Sequence, residues 1–77
     1  MVTKRNWLII AREKLGLDQQ RVAEMAGIGR STYTLIETGQ RRPSVEVAKA
    51  IASALRFDWT MFYEDEDEDV DGVKEVI

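Results

Sequence analysis

Seventy-seven residues make room for one small domain, and the lack of any cysteine or histidine removes disulfides, the commonest metal ligands and the commonest general base. The net charge of −3 conceals a partition: residues 1–63 carry ten Lys/Arg against six Asp/Glu, a net of +4, whereas residues 64–77 carry eight Asp/Glu against one Lys, a net of −7. The longest apolar run, Trp7–Ala11, falls far short of the ~20 residues of a membrane span, and no apolar stretch with a small-residue cleavage site follows the basic N-terminus. A soluble cytoplasmic chain is therefore expected, without signal peptide, metal or cofactor, stabilised by helix packing and helped by self-association.

Asn6 can cap a first helix that carries Trp7, Leu8, Ala11 and Leu15 on one face, and Gly16 fits just past its end. Asp18 can cap a second helix over Gln19 to Ala26, with Val22, Ala23, Met25 and Ala26 apolar. Gly27 and Gly29 bracket Ile28 in a turn that leaves two helices abutting. A third helix runs from about Arg30 to Thr38 and stops at Gly39. Gln40 to Pro43 form a loop, with the only proline just ahead of a helix, where it costs nothing. Ser44 caps a fourth helix that buries Val47, Ile51, Ala54 and Leu55, and Asp58 can cap a short fifth, Trp59 to Tyr63. The only hint of strand alternation is Val73–Ile77. The fold class is all-α, about five helices, with residues 1–63 as the domain and 64–77 as an acidic tail.

Wound as a wheel, the third helix places Tyr33 and Ile36 towards the core. Ser31, Thr34, Leu35 and Thr38 lie on the opposite side, with Arg30 at the first turn. That outer face makes a poor core and suits base edges. Arg can donate twice to guanine, Ser and Thr can donate or accept, and an apolar tip can meet a thymine methyl. The basic loop Gln40-Arg41-Arg42 follows at once and can grip phosphates beside the groove.

The stretch resembles the Cro/CI-type, or Xre, helix-turn-helix family over about residues 6–63. The matching residues are Gln19, Ala23, Gly27, Ile28, Ile36, Glu37, Gly39, Pro43 and Ser44. The resemblance implies a compact lambda-repressor-like fold, with the helix-turn-helix unit at about 19–38. It also implies base contacts from Arg30, Ser31, Thr34 and Leu35, and backbone contacts from Gln19, Thr32, Thr38, Gln40, Arg41 and Arg42. Gln19 sits besides at a helix N-terminus, where free N–H groups favour a phosphate. The sequence departs from the family pattern at Gly29, where Ser or Thr usually caps, at Tyr33 for Ile or Val, at Arg21 for Glu, and at Arg56 for Gly. Tyr33 thereby acquires a hydroxyl that needs a partner or a route to solvent.

Four features leave alternatives open. Arg12 and Glu37 match positions that often form an interhelical ion pair in the family, and Glu37, adjoining the core face of its helix, needs a partner if buried; the alternative is two solvated surface charges. Lys4 and Arg5 read as a phosphate-touching arm or as a loose basic end. Trp59, Met61, Phe62 and Tyr63 either close the core with Phe57 and Trp7 or form a dimer interface. The run Glu64 to Asp71 reads as a disordered, solubilising extension, as a competitor for the basic face, or as a docking segment helped by Val70, Val73, Val76 and Ile77.

Two functions compete. One is a sequence-specific regulator of transcription that binds double-stranded DNA, a repressor acting as a dimer on a palindromic operator. The other is a protein-interaction adaptor or antitoxin component whose partner meets the tail or the 59–63 cluster. Enzymatic activity is not expected, because the clustered acids lack a partnering nucleophile or a Gly-rich phosphate loop.

Overall fold

The computed structural model describes residues 4–64, and these are helical with no strand among them. In chain order they form α1 (Asn6–Lys14), α2 (Gln19–Ala26), α3 (Arg30–Glu37), α4 (Val45–Leu55) and a short α5 at 61–64. This is the all-α, five-helix fold expected. The Val73–Ile77 alternation and the acidic run beyond Glu64 lie outside the described residues.

Local chemistry explains where most helices begin. The Asp18 carboxylate accepts from the Arg21 N–H at 2.8 Å and the Ser44 hydroxyl from the Val47 N–H at 3.2 Å, each satisfying a donor that the helix itself leaves free. Asp58 accepts from both the N–H and the hydroxyl of Thr60, at 3.0 and 2.7 Å. Asn6 does not cap α1. It is the first helical residue, Arg5 takes the cap position, and no side chain accepts there. Instead the Arg5 N–H donates to the Glu37 carbonyl at 2.9 Å, so a tertiary anchor sets this end of the helix.

The four long helices end alike. An N–H two or three residues past the end reaches back to a carbonyl in the last turn: Leu17 to Arg12, Ile28 to Ala23, Gln40 to Leu35 and Phe57 to Ala52, at 2.9–3.3 Å. This closure needs a left-handed residue. Gly16, Gly27 and Gly39 supply it for α1–α3, while Arg56 adopts it at φ 63° after α4.

Leu8, Val22, Ala23, Tyr33, Ile36, Ala48, Ile51, Leu55 and Phe62 form the core. α2 packs on both α3 and α4, and α1 packs on α3. Three details differ from the periodicity. Leu15 is 43% exposed, because α1 stops at Lys14 and Leu17 turns inward instead. Met25 is 46% exposed, lying outside the arc of about 100° that Val22, Ala23 and Ala26 span on a helix of 3.6 residues per turn. On α4 the buried stripe is Ala48, Ile51, Ala52 and Leu55, whereas Ala54 is only half-buried. The alanines at 48 and 52 let α2 approach closely.

Candidate nucleic-acid interface

α3 carries the candidate reading face. Tyr33, Ile36 and Glu37 point inward. Arg30 and Ser31 are exposed, and Thr32, Thr34, Leu35 and Thr38 are half-buried on the outer side and flanks. Gly29 takes the cap position in extended conformation and offers no side-chain hydrogen bond, so the first-turn N–H groups of α3 meet no capping oxygen there.

The loop after α3 is closed onto the helix. The Leu35 carbonyl accepts from the N–H groups of Gln40 and Arg41 at 2.9 and 3.1 Å and from the Thr38 hydroxyl at 3.2 Å. Gln40 Nε2 in turn donates to Thr38 Oγ1 at 3.2 Å. The exposed side chains of Gln40, Arg41 and Arg42 therefore project from a backbone held in register with the reading face. Arg42 also lies over the Tyr63 ring, 5.7 Å from its centroid, and the Tyr63 hydroxyl donates to the Pro43 carbonyl at 3.2 Å. α5 thus braces the loop from behind.

Arg5, read from the sequence as one end of a basic arm, has another place. It is 7% exposed, and its Nη1 donates to the carbonyls of Ile36 and Arg41 at 2.6 and 3.3 Å. The guanidinium also lies over the Phe62 ring at 5.6 Å. Its positive charge sits at the C-terminal end of α3, where carbonyl dipoles favour a cation. Arg5 clamps the end of α3 to the loop that follows. A buried guanidinium has no period or motif to betray it, which is why the sequence leaves it among the surface charges.

Beneath the face lies a buried carboxylate. Arg12 Nε donates to Glu37 Oε2 at 2.6 Å and Arg12 Nη2 to Oε1 at 3.3 Å. The Tyr33 hydroxyl donates to Oε2 at 2.7 Å and Gln19 Nε2 to Oε1 at 2.8 Å. Tyr33 thereby finds the partner its hydroxyl requires. Burial alone would raise the Glu37 pKa, but the hydrogen bonds from Arg12, Tyr33 and Gln19 more than offset it and hold the group below its ordinary value of 4.5. The hydrogen bond to Glu37 raises Arg12 in return. Burial, then the bond to Glu37, pushes the Tyr33 phenol well above its usual range, so it remains a donor.

Gln19, expected at the phosphate backbone, is half-buried at the start of α2 and bridges the buried carboxylate to the reading face. Its Oε1 accepts from the Thr34 hydroxyl at 2.9 Å. The aromatic cluster divides. Phe62 is fully buried, edge-to-face with Trp7 at 5.2 Å and with Phe57 at 5.6 Å. A ring enclosed in this way presents nothing to a second chain, so Phe62 leaves the candidate interface. Trp59, Met61 and Tyr63 stay partly accessible; Trp59 and Tyr63 meet edge-on at 5.8 Å.

Two helices joined by a tight glycine turn, with a polar outer helix and a basic loop clamped to its end, define a helix-turn-helix unit. A family model described as helix-turn-helix matches residues 8–62, and the chain belongs to this Cro/CI-type family of transcriptional regulators. It is 52% identical over 61 residues, 79% of this chain and 80% of the relative, to an uncharacterised HTH-type transcriptional regulator, YqaF, of Bacillus subtilis (strain 168). It is also 43% identical over 44 residues, 57% of this chain and 64% of the relative, to an uncharacterised HTH-type transcriptional regulator of Methanothermobacter thermautotrophicus. No solved structure matches the chain significantly.

Proposed function

We propose that this protein is a sequence-specific, double-stranded DNA-binding regulator that represses transcription as a dimer, with α3 in the major groove. The observation that carries this reading is the union of two surfaces. The small polar face of α3 and the basic loop 40–42 are joined through the Leu35 carbonyl. Arg30, Ser31, Thr34 and Leu35 meet base edges, while Arg41, Arg42, Gln40, Thr38, Thr32 and the second N–H of Gln19 Nε2 meet phosphates. A domain this small acts most simply by occupying the promoter. Pairing through Trp59, Met61 and Tyr63 would set two half-sites about 34 Å apart on a palindromic operator.

Selection of bound duplexes from a random pool, followed by mobility shift, tests the reading. Arg30→Ala should cost about 1–3 kcal/mol on the preferred site and relax its base preference. Arg41→Ala should weaken all sequences alike and reduce the salt slope by about 1. An Arg30→Ala protein with affinity and preference intact would show that α3 does not read DNA through this face.

A further inference from the structure

The buried carboxylate determines which way the Gln19 amide faces. Glu37 is 1% exposed and its oxygens accept hydrogen bonds, so the Gln19 group that meets Oε1 at 2.8 Å must be the amine Nε2. The amide oxygen then faces Thr34, 2.9 Å away. A carbonyl oxygen only accepts, so Thr34 spends its one hydroxyl proton on Gln19. What Thr34 turns towards the groove is lone pairs and a methyl group, with no donor.

We infer that Thr34 is a one-way reader: held by Gln19 as a hydrogen-bond acceptor, it selects a base whose groove edge carries an amino donor. In the major groove those are adenine, through N6, and cytosine, through N4; guanine and thymine present acceptors at the corresponding positions. A free threonine hydroxyl would rotate to suit either class. Here the chain Arg12–Glu37–Gln19–Thr34 removes that freedom, and the fixed polarity originates in the interior. The inference rests on the placement of α3 in the groove and names the base class under one residue of it.

The test is base selection by the full-length protein and three variants, read at the position whose preference Thr34→Val abolishes. The wild type should favour adenine or cytosine over guanine or thymine there by about tenfold. Thr34→Ser, which retains the hydroxyl, should preserve that preference. Gln19→Leu, which frees the hydroxyl proton and removes a phosphate contact, should weaken binding to every duplex alike yet admit guanine and thymine at this position. An independent arm needs no change near Glu37: the duplex is made with adenine at this position and again with unsubstituted purine, which lacks the N6 amine. The purine duplex should lose affinity for the wild type and for Thr34→Ser but not for Thr34→Val. Preference for guanine or thymine at this position overturns the inference, as does indifference of the wild type to loss of the N6 amine. Failure of the wild type to select any duplex at all would instead overturn the DNA-reading assignment of α3.

Discussion

At Glu37 a full negative charge is carried into the interior, and three donors converge on it from α1, α2 and α3 itself. Removing it leaves Arg12 and the Tyr33 hydroxyl facing a site with no acceptor. Glu37→Ala should therefore cost about 3–5 kcal/mol in denaturant unfolding; a loss under about 1 kcal/mol would mean the cluster contributes little. The same group predicts the acid limb of stability. Its folded value lies below the ordinary 4.5, so its contribution is complete above that value and is lost as pH falls through the lowered one. Thermal melts should be level from about pH 7 down to roughly 4.5 and decline from there through the lowered value, with part of the decline absent in Glu37→Gln. Arg5 belongs to the same scale. Its bonds to the Ile36 and Arg41 carbonyls make Arg5→Ala a stability mutation of about 2 kcal/mol. The salt slope of DNA binding should stay unchanged, whereas a phosphate-gripping arginine would reduce it by about 1.

Among the elements, α2, α3 and α4 were legible because their boundaries are local. Asp18 and Ser44 bond to N–H groups three residues on, and Gly27 and Gly39 supply left-handed ends. The start of α1 was not legible, since Asn6 looks like a cap and the true anchor is Glu37, far along the chain. α4 ends at a residue that the family resemblance marks as unusual. Arg56 holds φ 63°, a region costing an L-residue about 1–2 kcal/mol, from which the greater unfolded-state freedom of glycine subtracts. Arg56→Gly should raise stability by about 0.5–1 kcal/mol, seen as a higher denaturant midpoint at constant m-value. An unchanged or lower midpoint would show that the arginine side chain stabilises the end by more than its backbone strain.

Across the whole molecule, charge is divided sharply along the sequence. The body through Tyr63 carries +4 and the remainder −7. Tyr63, the last residue before that remainder, lies under Arg42 and bonds to the Pro43 carbonyl. The acidic sequence therefore follows directly on a residue that touches the loop proposed to grip phosphates. Deleting residues 64–77 should strengthen binding to random-sequence DNA by at least about tenfold at low salt, with the difference closing as salt rises. Equal affinities at low salt would reject competition between tail and phosphate.

Composition, helical period, capping residues and glycine ends determined the all-α class, the helix order and the outward face of α3, because each depends on residues within a few positions of one another. Tertiary structure alone decided that Arg5 is a clamp, that Phe62 belongs to the core, and that Gln19 turns its oxygen towards Thr34. Those outcomes rest on contacts between distant positions, such as Arg5 with Arg41 and Gln19 with Glu37, separated by 36 and 18 residues. A side chain's polarity and partner are set there by the packed neighbours that surround it, and no local pattern records who those neighbours will be.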